Sequence, residues 1–293
     1  MDHDMTQKEK HMNALNNFAE RMKKDPNIVA MLVYGSMAYG TVGRKSDIAG
    51  TLITRDGSVS KKSFLADEDG IFICFGLREV TKFKKDLQEL RSGYDHALLG
   101  SSNIVFSKDK SLVELHEATR RIGSDDAPKA FAAKIGGLYN WMWKAEKHIT
   151  LIKDPLYAQR FLQLSAAIVA EMELIRHKEN PNREAIRRAR ELNPQLMHEI
   201  YTIPSTKVMT EEEIWHTINV LDDYLMKHMD WWSEHILKFL DDGEAKIGSW
   251  GAMTYLEDKG VIMRAILPTR LFKNSKLTID EVAYIYVKEN KNA

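Results

Sequence analysis

Residues 28–56 read IVAMLVYGSMAYGTVGRKSDIAGTLITRD and decide the fold class. The first seven of them form an apolar run rich in β-branched and aromatic side chains, which predicts a buried strand. Gly35 follows at once, and a glycine permits both a tight turn and the close approach of a phosphate to the backbone. Ser36 adds a hydroxyl, and a short helix that starts nearby would point amide donors at an anion. The stretch therefore predicts a phosphate-binding turn after a buried strand.

The second half of the stretch carries a candidate metal ligand. Ten residues separate Ser36 from Asp47, which follows Ser46 and opens a second apolar strand. Residues two apart in a strand share a face, so the side chain at position 49 lies on the side of Asp47. An Asp-x-Asp pair would direct two carboxylates at one point, which suits Mg²⁺, and two metals held in this way can bridge a triphosphate. Here Ala49 places a methyl group where the second carboxylate would lie.

These features resemble the nucleotidyltransferase superfamily that includes the lincosamide and kanamycin nucleotidyltransferases. The resemblance rests on residues 28–56, and a helical second half extends it weakly. It implies that Gly35, Ser36 and Ser46 bind the nucleotide phosphates and that Asp47 binds Mg²⁺. It also implies transfer of a nucleoside monophosphate, with ATP as the expected donor of AMP, to a hydroxyl of a small molecule such as an antibiotic.

Ala49 departs from the superfamily pattern, and we expect the chain as written to be inactive. Ala49 has two explanations: an engineered Asp→Ala change that traps substrate complexes, or natural decay of the site. A second function class stays open, namely a nucleotide-binding or partner-binding protein that kept the fold and lost the metal site. The simplest alternative treats Gly35-Ser36 as an ordinary turn and Asp47 as a capping or turn residue.

A complete site of this type needs a third carboxylate and a general base. The third predicted strand, residues 71–75, contains no acid, and Cys74 occupies the place where one would be expected; Cys74 is also compatible with a small buried apolar role. Asp95 is another candidate acid or a turn residue. The base is expected from the helical half, with three candidates: Glu146, Glu171 and Glu173.

Aromatic residues also mark the helical half. Tyr139, Trp141 and Trp143 could line an acceptor or adenine pocket, although core packing is the alternative. Trp231 and Trp232 suit either core packing or the seam of a homodimer.

Composition limits the class of partner. The 293 residues suffice for two domains. The 42 basic residues are balanced by 42 acidic ones, and this neutral net charge disfavours binding to long nucleic acid. The single cysteine excludes an internal disulfide and suits a reducing cytoplasm. Neither a signal peptide nor an apolar run of membrane-spanning length is present in the sequence, so we expect a cytoplasmic protein that does not bind membranes.

The order of elements predicts an α/β domain with a mixed sheet followed by a helical bundle. Thr6 is expected to cap a first helix that continues to about Lys24. We place the α/β domain at residues 1–125, the bundle at 126–243 and a segment of uncertain structure at 244–293. Within that segment, residues 278–287 fit either a strand or a helix.

Overall fold

The computed structural model describes residues 6–89, 98–241, 250–270, 272–273 and 276–286. It is a mixed α/β structure with a five-stranded sheet and many helices, as the sequence predicts. The chain divides into two compact units: the first comprises residues 1–123 and 178–183, and the second comprises residues 124–177 and 184–293. Segment 178–183 thus returns to the first unit, a connection that the sequence did not indicate.

The first unit is built on a five-stranded mixed sheet in the order β3-β4-β2-β1-β5. The strands are β1 (Ile28–Val33), β2 (Ile48–Thr54), β3 (Ser63–Glu68), β4 (Ile71–Glu79) and β5 (Asn103–Ser107). Strand β2 pairs with β1 in antiparallel and with β4 in parallel orientation. Both edges of the central strand β2 are therefore paired with a neighbouring strand.

Helices cover this sheet, and two apolar clusters result. The helices of the unit are α1 (Gln7–Lys24), α2 (Gly35–Tyr39), α3 (Val80–Glu89) and α4 (Lys110–Ala118). Leu15 and Phe18 of α1 belong to one cluster, together with Ile48 of β2. Ile53 of β2 and Phe83 of α3 belong to the other. Successive side chains of β2 thus point to opposite clusters, as strand alternation requires.

Helix α1 begins as the sequence predicts. The Thr6 hydroxyl accepts from the Glu9 backbone N–H, and the Glu9 carboxylate accepts from the Thr6 backbone N–H, which is a complete capping box. At its other end, Arg21 donates to Glu68 of β3 at 2.6 Å and holds the pKa of that carboxyl below its ordinary value. This ion pair ties α1 to the edge of the sheet.

Strand β3 was missed at the sequence level. The burial of its residues SFLADE alternates regularly, but the apolar Leu65 is 67% exposed and the acidic Glu68 is buried. Because β3 is an edge strand, it pairs with β4 alone and needs only one apolar face, so its composition gives little signal.

The second unit is mainly helical. Its helices are α5 (Ala127–Lys147), α6 (Pro155–Arg176), α7 (Ala185–Leu192), α8 (Pro194–Met197), α9 (Ile203–Thr206), α10 (Glu211–Lys227), α11 (Met229–Asp241) and α12 (Trp250–Asp258), with π-helical turns at His148–Ile152 and His198–Thr202. Pro155 and Pro194 each lie in the first turn of a helix, where a missing N–H costs nothing.

Apolar residues at helical spacing run through residues 210–240, and the structure divides this stretch into two helices, α10 and α11. His228 ends α10, and its N–H donates to the carbonyl of Leu225. The indole N–H of the fully buried Trp232 donates to the same carbonyl at 3.1 Å. Apolar periodicity continues through the break, so the sequence pattern did not reveal it.

The unit ends in a two-stranded antiparallel ribbon, β6 (Ile262–Arg270) and β7 (Thr278–Tyr286). For residues 278–286 this selects the strand over the helix, and the strand at 262–270 was not predicted. Within the described residues, no helix is long and apolar enough to cross a membrane.

A polar network lies in the core of the second unit. Glu173 is fully buried and accepts from Arg176 Nη1 at 2.7 Å and from Asn193 Nδ2 at 3.3 Å. Burial and the nearby Glu173 charge raise the pKa of Tyr224 well above its ordinary value. Burial, with help from the Arg176 charge, lowers the pKa of His228 to about 4. His228 is thus neutral at physiological pH.

We expect mild acid to destabilise the protein. Burial also lowers the pKa of His116 and His235, so the folded state resists protonation of all three histidines, His228 included. Their unfolded pKa is about 6.5, so the unfolded chain binds protons first as the pH falls. Stability is therefore fully present above about pH 6.5 and declines towards pH 4. Thermal melting at pH 7.5, 6.0 and 5.0 measures this, and His228→Gln should flatten the decline. A melting temperature that stays constant down to pH 5 would contradict it.

Candidate functional site

The turn after β1 has the geometry of an anion-binding turn. Helix α2 begins at Gly35, whose φ of 58° lies in the left-handed region, so any other residue would be strained there. Tyr34 precedes the helix in an extended conformation and provides no side-chain cap. The first amide groups of α2 are consequently not satisfied by a cap, and they lie beside the Ser36 hydroxyl. A substitution of Gly35 would disturb the backbone as well as any bound phosphate.

Strand pairing brings this turn to the start of β2. Val33 lies opposite Gly50, and the Tyr34 N–H donates to the Ala49 carbonyl at 2.8 Å. Because the two strands are antiparallel, the end of β1 and the beginning of β2 meet at one edge of the sheet. The structure thus brings Gly35 and Ser36 together with Asp47 and Ala49.

The face around Ala49 carries few carboxylates among the described residues. Ala49 lies opposite Cys74 of the parallel strand β4, and the Cys74 side chain is exposed. Thr51, two residues further along the face, accepts a hydrogen bond from the Tyr34 hydroxyl. Asp47 is exposed and makes no hydrogen bond or ion pair with the described residues. Among the described residues, Asp47, Ala49 and Cys74 therefore offer one carboxylate, one methyl group and one thiol at this point, and the carboxylate of Asp67 lies on the same face at the edge strand β3.

This donor set does not fit a two-metal Mg²⁺ centre. Mg²⁺ prefers hard oxygen ligands in near-octahedral geometry, and a thiol is a poor substitute. Among the described residues, no group of three or more His, Cys, Asp or Glu side chains could hold a metal ion. A single carboxylate at Asp47 provides neither the bridge nor the count of ligands that such a centre needs.

His11 of α1 positions the loop before Asp47, and sequence analysis missed it. This histidine is 2% exposed; its Nε2 lies 2.9 Å from the carbonyl oxygen of Ser46, and its Nδ1 lies 2.7 Å from that of Gln7. Both partners are carbonyl oxygens, so the ring nitrogen that carries the proton donates to the carbonyl that it faces. On the other side of the loop, Ser46 Oγ accepts from the Gly43 N–H at 3.0 Å. Ser46 is thus a structural anchor of the loop as well as a predicted phosphate ligand.

A second anchor holds α2. The Tyr39 hydroxyl donates to Ser101 Oγ at 3.0 Å, and Asn103 Nδ2 donates to the carbonyl oxygen of Ala38 at 3.2 Å. Both partners come from the segment that leads into β5. A distant pair of small polar residues leaves no local sequence signal, so this anchor was not predicted.

The candidate bases lie in the second unit. Glu146 is an exposed residue of α5, and its role as a base stays a prediction. Glu171 forms an ion pair with Lys134 at 2.5 Å, and Glu173 is the buried centre of the polar network. Asp95 lies outside the described residues.

The aromatic cluster of α5 packs largely within its own unit. Tyr139 makes an edge contact with Tyr255, and Trp141 stacks on Phe161. Trp143 differs, since it is 53% exposed. Core packing therefore accounts for Tyr139 and Trp141. For the exposed Trp143, a place in an acceptor or adenine pocket stays a prediction.

We expect His11→Ala to loosen the loop that carries Asp47. Loss of the contact with the Ser46 carbonyl removes a buried tie between α1 and the loop, so amide hydrogen exchange over residues 41–47 should accelerate severalfold. Asn17→Ala, at an exposed position of the same helix, is the matched control and should leave exchange unchanged. Equal exchange in both variants would mean that His11 does not position the loop.

Comparison with known proteins supports the fold. No protein family model matches the sequence, and no curated protein matches it significantly. Among solved structures, a nucleotidyltransferase-like protein from Exiguobacterium sibiricum 255-15 matches with a TM-score of 0.57 and 13% identity, over 95% of this chain and 100% of that one. At this level of identity the match shows the fold alone. The chain therefore has a nucleotidyltransferase-like fold.

Proposed function

We propose that this chain binds a nucleoside triphosphate at the turn after β1 and that, as written, it does not transfer the nucleotide. The observation that carries the proposal is the pairing of Ala49 with Cys74 on the face beside Asp47. The proposal is supported by the glycine turn at the start of α2 and by the lack, among the described residues, of a cluster of three or more acids that could hold a metal.

The residues of the turn would each have a distinct task. Gly35 leaves space for a phosphate, since a Cβ built on it meets no other atom within 4 Å. Ser36 would donate its hydroxyl and backbone N–H to phosphate oxygens, and Ser46 would shape the loop that closes over them. Asp47, exposed and without a described partner, would contact the nucleotide only through water or a loosely bound cation.

A second candidate is an active transferase for a small hydroxyl-bearing acceptor such as an antibiotic. It is favoured by Asp47, whose carboxylate remains exposed at the expected position. The acceptor hydroxyl would attack the α-phosphorus, pyrophosphate would leave, and Glu146 is the expected acceptor of the hydroxyl proton. ATP is the expected donor in either case, and a cytoplasmic location stays our expectation.

Two measurements on the unmodified chain separate the candidates. Calorimetric titration with ATP should give binding, whereas pyrophosphate release in the presence of Mg²⁺ and a panel of hydroxyl compounds should stay at background. Mg²⁺-dependent release would overturn the non-catalytic proposal in favour of the transferase. The absence of binding to any nucleoside triphosphate would overturn both.

Position 49 should control any gain of activity. Ala49→Asp restores one carboxylate, and Ala49→Asp combined with Cys74→Glu brings Asp47 and two new acids together on the face. We expect the double variant to bind Mg²⁺ in calorimetry and to release pyrophosphate about 10³-fold faster than the unmodified chain, which corresponds to about 4 kcal/mol of barrier. Ala49→Asn is the control of similar size without charge and should stay inactive. Inert variants that still fold and bind ATP would show that the missing acids are not the cause of inactivity.

Ser36 gives a direct test of the phosphate turn. Ser36→Ala removes one hydrogen-bond donor without backbone strain, so ATP affinity should fall about fivefold, equivalent to about 1 kcal/mol. Ser60→Ala, at an exposed position outside the turn, is the control and should not alter affinity. Unchanged ATP affinity in folded Ser36→Ala would place the nucleotide elsewhere.

A further inference from the structure

The loop between α2 and β2 contains a closed four-residue turn with two basic side chains at its tip. The Ser46 N–H donates to the Gly43 carbonyl at 3.0 Å, and the Gly43 N–H donates to Ser46 Oγ at the same distance. Arg44 and Lys45 are the two central residues, and both are exposed. We call residues 43–46 the basic turn. Its two reciprocal hydrogen bonds fix the backbone from which the basic side chains extend.

Backbone hydrogen bonds on either side hold the basic turn beside the segment that contains Gly35 and Ser36. Before the turn, the Thr41 N–H donates to the Ser36 carbonyl at 2.9 Å. After it, the Ala49 carbonyl accepts from the Tyr34 N–H at 2.8 Å. The three residues from Thr41 to the tip span at most about 11 Å, so the long basic side chains remain within reach of a phosphate bound at Ser36.

A buried contact supports the basic turn from below. His11 is 2% exposed, and its Nε2 lies 2.9 Å from the carbonyl oxygen of Ser46. Helix α1 thus fixes the end of the turn that leads to Asp47. A turn held in this way presents its two cations with little loss of backbone freedom on ligand binding.

The two basic side chains have donors available to an anion. Neither Arg44 nor Lys45 makes a hydrogen bond or an ion pair with a described residue, not even with Asp47 nearby. Three other arginines of the same unit each pair with a carboxylate at 2.5 to 3.6 Å, namely Arg21, Arg78 and Arg120. The basic turn is therefore a place where positive charge is concentrated without a carboxylate to neutralise it.

The sign of the local charge decides how a triphosphate can be held. From Gly35 to Gly50 the chain has two basic side chains and a single acidic one, Asp47. Carboxylates at both positions 47 and 49 would repel a triphosphate unless a cation lay between them. With Ala49 in place, the positive side chains outnumber the carboxylate, and the protein itself can neutralise phosphate charge.

We propose that Arg44 and Lys45 bind the β- and γ-phosphates of the nucleotide directly, in place of the Mg²⁺ ions that the donor set around Asp47 does not fit. This inference rests on the proposed function, since it requires a nucleotide at the turn after β1. The Arg44 guanidinium has the planar geometry to donate two parallel hydrogen bonds to one phosphate, and the Lys45 ammonium acts as a point charge. Nucleotide binding is therefore independent of divalent metal.

Calorimetric titration of the full chain with ATP, in EDTA and in Mg²⁺, tests the proposal. The affinity of the unmodified chain in EDTA should lie within about threefold of that in Mg²⁺. Arg44→Gln combined with Lys45→Gln should weaken ATP binding in EDTA at least tenfold, because two charge-assisted contacts are lost. Exchanging the two residues, Arg44→Lys with Lys45→Arg, keeps both charges and should retain most of the affinity.

A matched control removes the same charge elsewhere. Lys23→Gln combined with Lys24→Gln neutralises an exposed basic pair at the end of α1, and it should leave ATP affinity unchanged. Amide hydrogen exchange over residues 41–47 should be the same in all variants, which establishes that the basic turn is preserved.

A measurement on the unmodified chain does not depend on any variant. Because exposed charges are screened by salt, ATP affinity in EDTA should fall severalfold as KCl is raised from about 50 to about 500 mM. The inference is overturned by ATP binding that is lost in EDTA, by affinity in EDTA that does not change with salt, or by unchanged affinity in Arg44→Gln with Lys45→Gln. Each of these results leaves the proposed function standing, since ATP is still bound. Only the absence of ATP binding in both EDTA and Mg²⁺ overturns the two together.

Discussion

The antiparallel pairing of β1 with β2 is the constraint on which the candidate site depends. At the last pair of this ladder, Gly50 permits a contact that no side chain would allow: a Cβ there would come within 2.2 Å of the Leu32 carbonyl oxygen and within 2.5 Å of the Phe75 ring. With that glycine in place, the three strands β1, β2 and β4 lie close enough to keep a continuous ladder. The Gly35-Ser36 turn and Asp47 then meet at one edge of the sheet without any direct bond between them.

Sequence patterns predicted the elements whose signals are local. The apolar run of β1, the glycine at position 35 and the capping box of Thr6 each act within a few residues, and the structure contains all three elements. Tertiary contacts determined the rest. His11 looks like any polar residue on an amphipathic helix, and only the folded chain brings it to the Ser46 carbonyl, thirty-five residues away.

Strands β3 and β6 were not predicted from the sequence, and the physical reason is the same for both. Strand β3 pairs along one edge alone, and β6 pairs only with β7, so neither needs the continuous apolar pattern of a central strand. The alternation that normally marks a half-buried strand is broken in β6 by Ile266 beside Leu267 and by Pro268. Proline is tolerated there because β6 has an open edge on which no donor is required.

In the second unit, contacts of helix α12 hold the ribbon in place. Gly251 of α12 lies so close to Gly136 of α5 that a Cβ would come within 1.8 Å of the Gly136 Cα. Lys259, which follows α12, donates to Asp222 of α10 at 2.7 Å, and Arg264 of β6 donates to Glu257 of α12 at the same distance. These contacts fix the orientation of α12 and of the strand that follows it.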